Sequence, residues 1–134
     1  MNRKKLDLSQ VGATFSSEFS FLTGKFKIND LTLDIAESHF TKLMNNPGVY
    51  VFWNEAYGVI KVGKSQSNAK LRALQHIRDN TRNDHVEMSS LKNDSKTHLI
   101  LFNITILQDI HWILSLEYFM EKNLYPIIPS DRSG

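Results

Sequence analysis

Two short runs of β-branched and aromatic residues lie on either side of a turn, and this feature constrains the fold more than any other. The runs occupy residues 49–53 and 59–62, and such residues are enriched in strands because they pack well on a pleated surface. The intervening residues 54–58 contain the asparagine and glycine that tight turns favour. We therefore predict an antiparallel hairpin with Gly48 at its entrance and Gly63 at its exit.

Downstream of the hairpin, the sequence predicts a helix, a strand and a second helix. The first helix covers roughly residues 69–80, and the polar residues 81–97 are expected to form an exposed loop. Residues 98–106 are rich in apolar and β-branched residues and predict a strand. Asp109 is positioned to cap a last helix that runs to about residue 124. This order predicts an α+β fold, with an antiparallel three-stranded sheet flanked by helices.

The first forty-six residues are interpreted as an N-terminal extension packed on this core. Residues 26–28 and 31–33 alternate around Asn29-Asp30, a typical two-residue hairpin turn. A short helix is expected over about residues 36–44, ended by the Asn-Asn-Pro sequence that follows. The predicted organisation is therefore extension 1–46, core domain 47–128 and C-terminal tail 129–134.

Composition narrows the class of protein. The chain has 134 residues, of which 41% are hydrophobic and 22% charged, which is typical of a single globular domain. It has no cysteine, so disulfides and cysteine-ligated zinc are excluded. The longest apolar stretch, residues 99–107, is too short to cross a bilayer. We expect a cytoplasmic protein with no membrane partner.

Positive charge is concentrated in one segment. The net charge is only +2, but residues 61–82 carry +5, residues 1–60 are neutral and residues 83–134 carry −3. A basic stripe of this kind indicates a polyanion partner such as DNA, or else simply a solvated helix face. The side chains outside the catalytic set that we predict to contact nucleic acid are Lys64, Lys70, Arg78 and Arg82.

A carboxylate lies in the middle of the apolar face of the last predicted helix. At 100° per residue, Glu117 is surrounded by apolar side chains, namely Ile110, Ile113, Leu114, Met120 and Leu124. Burying a carboxylate is costly unless it is paired or binds a metal. The simpler alternatives are a position at the helix rim or an ion pair with an arginine. Glu121 is the competing metal ligand, although we expect it to be exposed beside Lys122.

Two further polar residues share one face of the helix that follows Gly63. Arg72 and His76 are four residues apart, a spacing that places both side chains on one face. The apolar stripe predicted on another face of that helix consists of Leu71, Leu74 and Ile77. Arginine suits a phosphate because its planar fork is permanently charged. Gly63 itself would allow a backbone or a substrate to approach closely.

These elements together resemble the GIY-YIG nuclease superfamily. Gly48-Val49-Tyr50 and Lys61-Val62-Gly63 are similar to its two signature strands, with lysine in place of the usual first tyrosine of the second triplet. Arg72 with His76, and Glu117 with Pro126 nine residues later, match its later landmarks. The resemblance covers roughly residues 47–128. The family's late asparagine falls on Pro129, and Ser130 and Asn123 are the candidates to replace it.

The resemblance implies metal-dependent hydrolysis of a DNA phosphodiester. Glu117 would bind a single Mg²⁺ or Mn²⁺, and Arg72 would neutralise charge on the phosphoryl oxygens. Tyr50 would activate or orient the attacking water, with Lys61 lowering the tyrosine's pKa or taking its proton and His76 assisting proton transfer. A free phenol has a pKa near ~10 and a free lysine near ~10.4. We expect Lys64, Arg72 and the bound metal together to favour the deprotonated forms of both groups and to shift both pKa values toward neutrality.

Three functions remain open at this point. The first is a DNA endonuclease, acting as a homodimer or by sequential nicks. The second is a nucleic-acid-binding module that has lost activity with the asparagine. The third is a structural or protein-interaction domain in which Glu117 pairs with Arg72. The nuclease requires its five side chains to line one concave, solvent-reachable surface, namely Tyr50, Lys61, Arg72, His76 and Glu117.

Overall fold

A computed structural model describes residues 3–130 as three α-helices and one four-stranded antiparallel sheet. The helices are α1 Leu8–Phe19, α2 Ala69–Arg78 and α3 His111–Asn123. The strands are β1 Phe26–Thr32, β2 Gly48–Asn54, β3 Gly58–Ser65 and β4 Thr97–Ile104. They lie in the order β1-β4-β2-β3, which confirms the α+β class. Within residues 3–130, no helix is both long enough and apolar enough to cross a membrane. Residues 131–134 of the predicted tail lie outside the described part.

The predicted hairpin is β2 and β3. Tyr50 lies opposite Gly63 in its register, and the pairing shifts by a bulge after Phe52. The prediction for Gly63 is corrected, because β3 continues to Ser65 and the glycine lies inside the strand rather than at its exit. Gly48 is required by close backbone packing, since a Cβ there would lie 2.3 Å from the carbonyl oxygen of Phe102 on β4.

The predicted three-stranded sheet is wrong by one strand. Residues expected to form a hairpin around Asn29-Asp30 instead form the single strand β1, which pairs with β4 along its whole length, from Phe26 opposite Ile104 to Thr32 opposite His98. β1 is an outer strand, and this ladder pairs the backbone groups on the side that faces β4. A two-residue turn at this point would give up most of those hydrogen bonds.

The short helix predicted over residues 36–44 is also wrong. Turns cover residues 33–38, and a 3₁₀-helix follows at Lys42–Asn45. Leu33, Ala36 and Met44 are buried there, whereas Phe40, which a helix would place on the same face, is 61% exposed. Helix α1 was not predicted, although its signal is present: Gln10 donates its backbone N–H to Asp7 and accepts one in return, which is a capping box.

Each face of the sheet has its own apolar core. Successive β2 residues alternate between them, so that Val49 and Val51 pack with α1 and α3, while Tyr50 and Phe52 pack with α2. On α2 the buried apolar residues are Ala69, Ala73 and Ile77. The predicted stripe is therefore wrong at Leu71, which is 50% exposed, and Leu74 is only partly buried. Small residues face the sheet because α2 packs closely against it.

Two predictions around β4 and α3 are also corrected. Within the segment expected to be an exposed loop, Val86, Met88 and Leu91 are buried, and Met88–Leu91 forms a 3₁₀-helix. Asp109 does not cap α3, which begins at His111 without a side-chain cap. Its carboxylate instead forms an ion pair with Lys25 just before β1, at 3.2 Å.

Candidate functional site

The five predicted catalytic residues line one open cleft of about 670 Å³. Tyr50 comes from β2, Lys61 from β3, Arg72 and His76 from α2, and Glu117 from α3. The other lining residues are Val62, Gly63, Lys64, Thr81, Leu114 and Ser130. Residues far apart in the sequence thus meet at one surface of the molecule.

The cleft forms at the β3 edge of the sheet. β3 is an outer strand, and α2 and α3 contact it from opposite faces. Backbone N–H groups of Ile127 and Ile128 donate to Val59 and Ile60, at 3.0 and 2.9 Å, and so cover the first half of the strand edge. The second half, from Lys61 onward, faces the cleft.

The Tyr50 ring lies directly against Gly63 of the paired strand. A Cβ at Gly63 would lie 2.3 Å from Tyr50 Oη and 2.4 Å from its Cζ, far inside van der Waals contact. The Tyr50 side chain is only 2% exposed, so it has little room to move aside. The close approach that Gly63 permits is therefore made by this aromatic ring, rather than by a backbone or a substrate as predicted.

A chain of short hydrogen bonds runs from the cleft into the end of α2. Tyr50 Oη lies 2.7 Å from His76 Nε2, and His76 Nδ1 lies 2.6 Å from Thr81 Oγ1. Thr81 follows α2 and was not predicted as a site residue. No local motif distinguishes it, because its contact with His76 depends on how the chain turns after the helix.

Burial has the largest effect on the pKa values of Tyr50 and His76. Desolvation raises the pKa of Tyr50 to about 12, against a smaller lowering by Arg72. Desolvation, and then the positive charges of Lys61 and Arg72, lower the pKa of His76 to about 4, against a smaller opposing effect of Asp79. The prediction that Tyr50 is shifted toward neutrality is therefore wrong for the free protein. At neutral pH, Tyr50 is a phenol and His76 a neutral imidazole.

The cationic side chains of the cleft differ in exposure. Lys61 is buried at 8% exposure, Lys64 is half-buried and Arg72 is exposed. The Arg72 guanidinium donates to the Gln75 side chain at 3.2 Å, one turn along α2. Arg72 is thus free to reorient toward an anion in the cleft without leaving a buried charge behind.

Glu117 is the single carboxylate among the described residues that line the cleft. It is buried, at 2% exposure. Of the apolar neighbours predicted around it, Ile113, Met120 and Leu124 are buried, whereas Ile110 and Leu114 are exposed, so the predicted apolar face is only partly correct. The described residues contain no cluster of three or more histidine or carboxylate side chains able to hold a metal. One carboxylate is still a sufficient protein ligand for Mg²⁺, which keeps several waters and takes further oxygens from a substrate phosphate. The site fits Mg²⁺ or Mn²⁺ in that mode.

Glu121 is not the exposed residue predicted. It is half-buried, and its Oε2 accepts the backbone N–H of Ser130 at 3.0 Å. Burial raises the pKa of Glu121, and this effect is larger than the lowering caused by the Ser130 hydrogen bond and by Lys61.

Ser130 also lines the cleft, whereas Asn123 is exposed and donates to the Phe119 carbonyl. Of the two residues expected to replace the asparagine of the GIY-YIG pattern, Ser130 is the one that lies at the site.

The predicted nucleic-acid contacts fall into separate places. Lys64 lines the cleft, while Arg78 and Arg82 are exposed outside its wall. The predicted nucleic-acid contact by Lys70 is corrected, because this residue is 6% exposed and its side chain donates to the carbonyl of His39. Its ammonium group anchors the loop before β2 and is not displayed on the basic surface.

Comparison with known proteins adds no relative: no family model, no curated protein and no solved structure matches the chain.

Proposed function

We propose that this protein is a metal-dependent endonuclease of the GIY-YIG type that hydrolyses DNA phosphodiester bonds. The observation that carries the proposal is the convergence of Tyr50, Lys61, Arg72, His76 and Glu117 on one open cleft. These side chains come from four different elements. A purely structural domain has no need to bring a phenol, a carboxylate and two cations to one solvent-reachable surface.

The cations of the cleft supply the binding of the scissile phosphate. Arg72 is exposed and able to form two parallel hydrogen bonds to phosphoryl oxygens, while Lys61 adds a second, buried positive charge. Both charges lower the pKa of His76 in the free protein. A bound phosphate offsets them and thereby raises the basicity of His76 when substrate is present.

Tyr50 and His76 supply the proton acceptors for the attacking water. The water's proton passes to Tyr50 Oη while the phenol's own proton passes to His76 Nε2, along the 2.7 Å hydrogen bond. The water oxygen forms a bond to phosphorus, and the bond from phosphorus to the leaving sugar oxygen breaks. The electron pair stays on that oxygen, which takes a proton from solvent.

Glu117 is the residue that would hold a divalent cation. When bound, Mg²⁺ or Mn²⁺ supplies Lewis-acid polarisation of the phosphate and stabilises the leaving oxygen. The buried carboxylate is aligned by α3 at the wall of the cleft opposite α2. Arg72 and Glu117 therefore lie on different helices around the position of the scissile phosphate.

The surrounding surface supports binding to duplex DNA without base readout. Lys64 lies in the cleft and Arg78 and Arg82 are exposed on the segment that carries the excess positive charge. Contacts of this kind neutralise backbone phosphates and make affinity dependent on salt. One cleft per chain cuts one strand, so a double-strand break would come from a homodimer or from two sequential nicks.

A second candidate is a nucleic-acid-binding module without activity. Pro129 stands at the position of the family asparagine, and in the free protein Tyr50 holds its proton firmly. In that case the basic cleft would bind DNA and leave its backbone intact.

Incubation with supercoiled plasmid distinguishes the two candidates. The endonuclease converts the plasmid to nicked or linear forms with Mg²⁺ or Mn²⁺ and leaves it supercoiled in EDTA. Retarded plasmid that stays supercoiled with either metal would favour the binding module, and cleavage undiminished in EDTA would contradict the assignment of a metal to Glu117.

A further inference from the structure

Thr81 lies at the end of the hydrogen-bonded chain that begins at Tyr50. Its Oγ1 lies 2.6 Å from His76 Nδ1, and its backbone is held on both sides. Its N–H donates to the His76 carbonyl at 3.0 Å, and its carbonyl accepts from Met88 at 2.9 Å. The hydroxyl is therefore presented to the imidazole by a fixed backbone.

The distances allow two directions for the hydrogen bonds. In the first, Tyr50 donates to His76 Nε2, and His76 donates from Nδ1 to Thr81. In the second, Thr81 donates to Nδ1, and His76 donates from Nε2 to Tyr50. Each direction requires a different tautomer of the neutral imidazole, and each leaves one hydroxyl proton without a partner inside the chain.

Exposure decides between the two directions. In the second, the proton left over belongs to Tyr50, whose side chain is 2% exposed and whose Oη has His76 as its single hydrogen-bond partner among residues 3–130. In the first, the proton left over belongs to Thr81, which is half-buried at the cleft and reaches water. Tyr50 also lines the cleft, but it is the more deeply buried of the two residues, so leaving its proton without a protein partner is the less favourable arrangement.

We propose that Thr81 is a positioning residue, which holds the proton of neutral His76 on Nδ1 so that Nε2 accepts the hydrogen bond of Tyr50. The Tyr50 oxygen then presents lone pairs, and not its proton, to the cleft. The catalytic role of this arrangement rests on the proposed nuclease function: with its lone pairs facing the cleft, Tyr50 is able to accept a proton from the attacking water. The tautomer itself does not depend on any activity.

Nitrogen NMR of the imidazole rings tests the proposal without DNA. The protonated and bare nitrogens of a neutral imidazole resonate in separate ranges, and a His76→Gln variant identifies the signal among the five histidines. Near neutral pH we expect Nδ1 to carry the proton in the wild-type protein and in Thr81→Ser, which keeps the hydroxyl. In Thr81→Val, of nearly equal shape, we expect the proton to move wholly or partly to Nε2.

A wild-type protein with the His76 proton on Nε2 overturns the proposal, and so does a Thr81→Val protein that retains it on Nδ1. The wild-type measurement stands even if Thr81→Val fails to fold. A protein that shows the expected tautomers and cuts no DNA would contradict the proposed function alone. If it does cut DNA, Thr81→Val is expected to lower the turnover number with little change in KM, with recovery in Thr81→Ser.

Discussion

The two outer strands of the sheet have the same pairing geometry and opposite surroundings. Residues 58–63 of β3 are all buried, because α2 and α3 cover its two faces. On β1 only Phe26 and Leu31 are buried, and the remaining residues are partly or fully exposed. The sheet edge that carries the cleft is therefore the one whose two faces are covered by helices.

This difference shows what turns a sheet edge into a candidate site. At β3, α2 and α3 cover opposite faces of the strand, and Arg72 from one and Glu117 from the other line the same cleft. A glycine opposite Tyr50 lets the phenol lie on the strand itself. At β1 the pair between Asp30 and His98, at 2.7 Å, is a surface contact. Such a pair is expected to contribute little.

The largest expected difference concerns two arginines of the same helix. We expect Arg72→Ala to lower plasmid cleavage by about 10²–10³-fold, the loss typical of removing one charge-stabilising donor. Arg78→Ala is the matched control, because Arg78 is also exposed on α2 but lies outside the cleft. Initial nicking rates at saturating Mg²⁺ measure both. Equal losses in the two variants would show that α2 contributes only general positive charge.

Glycine-to-alanine substitutions are expected to change the free energy of unfolding in opposite directions inside and outside the cleft. Gly63→Ala forces the buried Tyr50 ring to move, since the added Cβ would lie 2.3 Å from its Oη. We expect destabilisation of about 1–3 kcal/mol and a broken Tyr50–His76 hydrogen bond. Gly12→Ala is the control: nothing lies within 4 Å of its added Cβ, and in the interior of α1 it should stabilise by about 0.5–1 kcal/mol. Urea unfolding at neutral pH compares them, and an unaffected Gly63→Ala would refute the packing argument.

The buried His76 predicts a loss of stability in mild acid. Its pKa in the folded protein is about 4, below the value near 6.5 of an unfolded chain, so the unfolded state binds more protons between these values. Stability is then full above pH ~6.5 and is lost as the pH falls toward 4. We expect roughly 1–2 kcal/mol less between pH 7 and pH 5, measured as the difference between wild type and His76→Gln. Parallel stability curves for the two proteins would rule out a buried neutral His76.

The smallest effect is expected at the β1 edge. Asp30→Ala removes the pair with His98, whose two side chains are 42% and 24% exposed. Because exposed pairs contribute at most about 1 kcal/mol, we expect a change within that limit and no change in cleavage rate. A loss of cleavage here would mean that the two edges are coupled through the sheet.

Local patterns in the sequence predicted the elements that are local in the structure. The hairpin, α2, β4 and α3 each arise from a run of residues with one clear period, and all four are present. The prediction for β1 was wrong because the turn signal of Asn29-Asp30 is local, whereas β4, the strand that pairs with β1, lies about seventy residues away in the sequence. The hydrogen bonds of a long-range ladder outweigh a local turn preference, and the sequence of the segment itself does not indicate that it pairs with β4.

The candidate site was predicted as a set of residues and not as an environment. Tyr50, Arg72 and Glu117 could be selected by chemistry and spacing, yet the raised pKa of Tyr50 depends on burial that no pattern shows. Lys70 looked like part of a basic stripe but is buried against a loop carbonyl. Thr81 could not be found at all, because the chain reverses after α2 to bring it to His76.

The central claim is that the β3 cleft is a catalytic centre organised around Glu117. The most direct test measures DNA binding and plasmid cleavage together for Glu117→Ala, with Glu18→Ala, exposed on α1, as the matched control. We predict that Glu117→Ala binds DNA at least as well as wild type and loses cleavage in Mg²⁺ and Mn²⁺ by at least about 10²-fold, while Glu18→Ala behaves as wild type. A folded Glu117→Ala protein that cleaves at the wild-type rate would contradict the account.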